Sequence, residues 1–168
     1  LIAADTCVCN DVSLHLQSRF YLITGSNMAG KSTFLRSIGL NAVMALAGGP
    51  IRATSARVSR LTVCASIGVT DSLMDGRSKF FAEVSRLEEM VSCARMGMPV
   101  LFLIDEVLSG TNSKDRKTVA EGVLQTLLKD GAIGALSTHD SALAEIGANP
   151  MLLGSLIHME SGNPDDPL

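Results

Sequence analysis

Between residues 19 and 47 the chain passes from the apolar run RFYLIT, through GSNMAGKS, into a segment with apolar positions at helical spacing. A short buried strand, a glycine-rich loop and a helix in immediate succession constrain the fold more than any other feature. GSNMAGKS (25–32) fits the pattern G-x-x-x-x-G-K-[ST] at every fixed position. Gly25 and Gly30 let the backbone curl, so that successive N–H groups, together with the start of the helix, can face an anion. Ser26, Asn27, Met28 and Ala29 complete the cradle. Lys31 is placed to reach terminal phosphates, Ser32 to coordinate Mg²⁺, and Thr33 to add a contact at the helix N-terminus. A chance glycine-rich turn is the alternative. The complete pattern, its flanking elements and the acidic strand end described below argue against it.

Strands and helices alternate along the rest of the chain. The helix over 31–47 stops at Gly48-Gly49-Pro50. LTVCASIG (61–68) reads as a strand. KFFAEVSRLEEMVSCARM (79–96) is amphipathic, with Phe80, Val84, Leu87 and Val91 on one face. VLFLID (100–105) is continuously apolar, as a central parallel strand should be. A helix is expected over 114–129, a strand at AIGALS (132–137), a short helix near 140–147 and a further strand at MLLGSLIHME (151–160), before a loose polar tail over 161–168. This alternation predicts an α/β domain with a largely parallel central sheet.

With 168 residues, 46 % of them hydrophobic, the chain can bury one core. No apolar run approaches the roughly 20 residues of a membrane helix, and no signal peptide is expected. Leu1 in place of an initiator Met suggests a fragment of something longer. The net charge of −3, with no basic block, argues against a main nucleic-acid grip in this segment. Cys7, Cys9, Cys64 and Cys93 lack zinc-like spacing and read as buried structural thiols. The cytoplasm is the expected compartment.

Asp105 ends an apolar strand and Glu106 follows it. Two carboxylates at a buried strand end are costly without a cation nearby. Asp105 is expected to hold Mg²⁺, on a strand lying beside the one that feeds the glycine loop, and Glu106 to polarise an attacking water. His139 follows GALST at the end of the next strand. It should share the ligand-binding sheet edge with Gly25 and Asp105, and this place favours a γ-phosphate sensor over the structural role that a lone histidine more often has.

TGSNMAGKSTFLR, DGRSKFFAEV, LFLIDEVLSGTNSKDR and STHD occur in that order over about residues 6–147. Together they resemble the C-terminal ATPase domain of the MutS mismatch-repair family, a branch of the ABC ATPases. The resemblance implies a P-loop NTPase fold with ABC-ATPase-like three-layer architecture, ATP and Mg²⁺ as ligands, and a homodimer or MutS-like partner sharing nucleotide across the interface. DNA would be held by domains outside this chain. It also implies that Asn27 contacts nucleotide or its surroundings and that Ser78 is presented in trans to the partner's γ-phosphate. Ser78 could equally be an ordinary N-cap, with Phe80 and Phe81 in the core. LSGTNSKD, with Ser109, Thr111, Asn112 and Asp115, matches an interface loop. It can also be read as a helix-capping loop with Ser113 as N-cap. The sequence departs from the family at Ser26, where Pro is common, and at Lys79, where mismatch-repair members have Thr. TCVCNDV (6–12) lacks the aromatic residue that commonly stacks on adenine.

Two other functions compete with an ATP-hydrolysing motor. A non-hydrolysing, ATP-gated interaction module would not need Glu106. An ABC transporter subunit would place LSGGQ upstream of the acidic pair, whereas LSGTN lies downstream of it.

Overall fold

The computed structural model of the chain describes residues 8–68, 79–108, 112–147, 152 and 154–160. Five strands form one sheet in the order β2-β3-β4-β1-β5: β1 (Phe20–Gly25), β2 (Thr62–Ser66), β3 (Val100–Asp105), β4 (Ile133–Thr138) and β5 (Gly154–Met159). Every pairing between them is parallel. The helices are α1 (Lys31–Leu46), α2 (Lys79–Arg95), α3 (Ser113–Lys129) and α4 (Ser141–Gly147). The α/β alternation and the parallel sheet read from the sequence are both present.

The period of two in the strands sorts the core into two layers. Phe20, Leu22, Phe102, Ile104 and Leu136 point to one face and pack with Leu87 and Met90 of α2, Leu124 and Leu127 of α3, and Leu143 of α4. Tyr21, Ile23, Leu101, Leu103 and Ala135 point to the other face, against Phe34, Leu35 and Ala42 of α1. Burying each large apolar side chain contributes about 1.5–3 kcal/mol before entropy is counted. Gly134 is required by a close approach: a Cβ there would lie 2.0 Å from the Phe102 carbonyl oxygen.

Four expectations need correction. The strand bearing Asp105 does not lie beside β1; β4 is inserted between them. A run of apolar residues marks a buried strand without saying which strand it pairs with. AIGALS, nearly all of it inaccessible, takes the central place. On α2 the buried stripe is Glu83, Leu87, Met90 and Ala94, while Phe80 (46 %) and Phe81 (51 %) are exposed, as is Val84. Both stripes have helical spacing and share Leu87, so periodicity alone could not separate them. The two phenylalanines are therefore not core residues.

The N-cap of α3 is Asn112, not Ser113. The Asn112 side chain accepts from the Asp115 N–H at 2.9 Å, and its amide donates back to the Asp115 carboxylate. Asn matches Ser as a cap, and Asp115 in the first turn suits the helix dipole. Finally, Cys9 is exposed, whereas Cys64 and Cys93 are half-buried against the core. Burial, with Cys93 beside it, pushes the Cys64 thiol up to about 11. Cys7, the upstream part of the 6–12 stretch, Ser109, Thr111 and the 161–168 tail lie outside the described residues.

Candidate functional site

Parallel strands bring their C-terminal ends to one sheet edge, and α1 begins there. Gly25 closes β1, and the 26–30 loop turns directly into α1. Met28 is left at the tip with φ 72° and 97 % exposure, while Ala29 is buried beneath it. The Ala29 N–H donates to Ser26 O at 3.3 Å, which tightens the turn. Gly30, with φ 88°, is the N-cap of α1, and no side chain caps that helix. Its first N–H groups and the positive end of its dipole therefore face the loop.

Lys31 is 5 % exposed. Its ammonium donates to Gly25 O at 2.9 Å and to Ser26 O at 2.7 Å. The cation sits inside the loop, held by two of the loop's own carbonyls.

A cleft of about 530 Å³ opens at this edge. Asn27, Met28, Gly30, Lys31, Ser32 and Thr33 form one wall, and Asp105 and Glu106 form another. Two further residues line it that the sequence motifs did not single out, Gly68 and Glu83. Glu83 could have been noticed as the one carboxylate in the buried stripe of α2, where it is 6 % exposed.

Asp105 is level with Ser137 on β4, whose hydroxyl donates to Asp105 Oδ1 at 2.5 Å. That bond fixes the carboxylate at the cleft. Glu106 has φ 53° and Leu108 φ 49°. Left-handed backbone at a non-glycine residue costs on the order of 1–3 kcal/mol. With Met28, these strained positions are confined among the described residues to the loop and the segment facing it. The Glu106 N–H donates to Ser137 O at 3.1 Å, which holds the turn. His139 Nδ1 lies 2.9 Å from Glu106 Oε1. Gly25, Asp105, Glu106 and His139 thus share one edge as anticipated; Ser78 lies outside the described residues.

The donor set fits a hard cation bound to phosphate. Asp105 and Ser32 offer oxygen ligands of the kind Mg²⁺ takes, and few protein ligands suffice when phosphates and waters complete the octahedron. Lys31, the α1 N-terminus and the open turn of the 25–30 loop fit the anion.

Ser137 was hidden in the sequence within an apolar strand. We expect Ser137→Ala to lower stability by about 1.5–3 kcal/mol, the range for a hydrogen bond to a charged group. Urea titration should show the midpoint falling with an unchanged slope. An unchanged midpoint would show that the Ser137–Asp105 bond contributes nothing.

The fold and its edge define a class: an α/β domain on an all-parallel sheet, with a glycine-rich loop facing two carboxylates across a cleft and a histidine bonded to one of them. Residues 21–163 match the profile of MutS domain V. The chain belongs to the MutS family. It is 33 % identical over 138 residues to the DNA mismatch repair protein MutS of Thermotoga sp. (strain RQ2), covering 82 % of this chain and 17 % of that protein. Against the protein of the same name from Lactobacillus delbrueckii subsp. bulgaricus (strain ATCC 11842) it is 35 % identical over 148 residues, 87 % of this chain and 17 % of the relative. The corresponding protein of Granulibacter bethesdensis shows 36 % identity over 146 residues, with coverage of 85 % and 16 %. The chain therefore spans about one sixth of the length of these relatives.

Proposed function

We propose that this chain is the ATP-binding and ATP-hydrolysing domain of a MutS-family protein, a P-loop NTPase of ABC-ATPase-like architecture. The observation that carries this reading is the convergence of Lys31, Ser32, Asp105 and Glu106 on one cleft at the sheet edge, with His139 bonded to Glu106. In this reading the 25–30 loop and the α1 N-terminus bind the phosphates. Lys31 exchanges the Gly25 and Ser26 carbonyls for β- and γ-phosphate oxygens. Ser32 and Asp105 hold Mg²⁺, which offsets phosphate charge when bound. Glu106 accepts hydrogen bonds from the attacking water and draws off its proton. His139, paired with Glu106, faces the γ-phosphate.

The family name of the relatives supports a role in DNA mismatch repair or a related DNA transaction. The net charge of −3 favours DNA contacts made by other domains. The partner would be a second copy or a MutS-like chain that receives Ser78 at its nucleotide. The exposed Phe80, Phe81 and Val84 at the start of α2 support an apolar contact near the cleft. Among the described residues no helix is long and apolar enough to cross a membrane. A non-hydrolysing, ATP-gated module is the second reading, and the hydrogen-bonded Glu106 disfavours it.

Titration with a fluorescent ATP analogue and Mg²⁺ tests the binding half. Lys31→Ala is expected to weaken binding by about 10–100-fold, the loss of one or two charge-assisted hydrogen bonds. Equal affinities for the variant and the parent would remove the phosphate-loop reading. In sedimentation, ATP with Mg²⁺ should increase the dimer fraction, and a nucleotide-independent monomer would count against the shared site.

A further inference from the structure

We infer that Arg116 and Asp140 are positioning residues that set His139 against Glu106. This deepens the proposed function and rests on reading Glu106 and His139 as the water-handling pair. Arg116 lies in the first turn of α3, one residue after Asp115. Its Nη1 donates to Asp140 Oδ2 at 3.2 Å, and the two side chains are only 13 % and 11 % exposed. Asp140 directly follows His139. Its N–H donates to Thr138 Oγ1 at 3.0 Å, and its carbonyl accepts from Leu143 N–H at 3.1 Å. Both backbone groups of Asp140 are thus tied into the turn from β4 to α4, and its side chain is tied to α3. His139, held between two fixed residues, reaches Glu106 Oε1 from that turn.

Two features separate this arrangement from a simple clamp between helices. A clamp already exists next door: Lys117, the following residue of α3, pairs with Glu145 on α4. The Arg116–Asp140 pair is largely withdrawn from water, where an ion pair is a poor source of net stability, and the role we assign to it is to fix geometry. The pair also has an electrostatic consequence at the neighbouring histidine. A carboxylate one residue from His139 could compete with Glu106 for the imidazole. Arg116 occupies that carboxylate and leaves His139 to Glu106. Arg116 itself stands one turn beyond the Asn112 cap, and its N–H donates to Asn112 O at 3.0 Å. The chain of contacts therefore runs Asn112, Arg116, Asp140, His139, Glu106.

The test is made on the purified protein with Arg116→Met, Arg116→Lys and the double variant Arg116→Met/Asp140→Leu. The double variant removes both charges and keeps the bulk, so it should fold even if the single one does not. In the double variant we expect the melting temperature and the affinity for a fluorescent ATP analogue to stay at parent values, while kcat falls about tenfold or more. Arg116→Lys should recover part of the loss. In a His139→Ala background the double substitution should cost nothing further, because its effect passes through the imidazole. The proposal is overturned if the double variant turns over ATP at the parent rate, or if its loss simply multiplies that of His139→Ala. A readout independent of turnover is the imidazole ¹⁵N resonance of His139, which should move in the double variant. An unmoved resonance overturns the inference. Absence of ATP turnover in the parent protein, with a resonance that does move, would instead reject the hydrolytic reading and leave the positioning intact.

Discussion

Glu106→Gln is expected to lower ATP turnover by about 10²–10⁴-fold while ATP binding survives, the range for loss of a positioned general base. The substitution is nearly isosteric. Gln keeps an oxygen at the position that meets His139, and the backbone bond from residue 106 to Ser137 O does not depend on the side chain. What is lost is the negative charge proposed to draw a proton from water. At 1.36 kcal/mol per decade the expected loss is about 3–5 kcal/mol of transition-state stabilisation. Because Lys31, Ser32 and Asp105 are untouched, the loss should fall on kcat and not on nucleotide affinity. Single-turnover phosphate release, measured beside a nucleotide titration, separates the two. If parent and variant release phosphate at the same rate, Glu106 is not the base. If the parent itself releases none under DNA-bound and DNA-free conditions, the ATP-gated binding module becomes the better reading. Asp105 provides the contrast. It carries the proposed metal contact and the Ser137 bond together, so its removal should weaken Mg²⁺-dependent binding as well as turnover.

The residues behind these expectations differ in how openly the sequence displays them. GSNMAGKS is legible because each of its residues acts locally, with a glycine for a turn, a lysine for charge and a serine at a helix start. All of this lies within eight residues, and the expected succession of strand, loop and helix is present from Gly25 to Ser32. VLFLID was legible for a related reason, since a strand buried on both faces must be apolar throughout. The order of strands was not legible. Nothing in AIGALS says that it lies between β1 and β3; that follows from how three long crossovers pack, and it puts Ser137 rather than the loop beside Asp105. The face of α2 was misread because two stripes with the same period overlap at Leu87. The choice between them depends on tertiary packing, which sets Glu83 in the lining of the cleft and leaves Phe80 and Phe81 exposed. Arg116 and Asp140 are 24 residues apart in the chain, and only the packing of α3 beside α4 makes them partners. Local chemistry can be read from a line of residues, whereas pairing at a distance is a property of the assembled sheet.

Gly25→Ala is expected to be the most damaging single methyl group that can be added at the site. Gly25 has φ 143°, a conformation reserved for glycine, and it is paired in register with Met159 at the end of β5. A Cβ at residue 25 would stand 2.1 Å from Met159 O and 3.1 Å from Met159 C, so the obstacle is backbone and not a movable side-chain end. Either β5 separates from β1 at its last rung or residue 25 rotates. Strain of about 1–3 kcal/mol and overpacking of about 1–3 kcal/mol combine to roughly 2–6 kcal/mol. For a domain of this size that lowers the melting temperature by about 5–20 °C. The second consequence is functional. The Gly25 carbonyl is one of the two that hold the Lys31 ammonium, so rotating residue 25 displaces the cation from the loop. Affinity for a nucleotide should fall together with stability. Gly48→Ala supplies the control. Gly48 also has a positive φ, 73°, and follows the α1 C-cap, where its N–H donates to Ala45 O and the next N–H donates to Met44 O. A Cβ there meets nothing within 4 Å, so only conformational strain of about 1–2 kcal/mol remains. Thermal melts of the two variants should differ severalfold in their shift, and nucleotide binding should be lost only at Gly25. Equal shifts would mean that β5 yields easily at Met159, and that the β1–β5 pairing does not hold the loop in place.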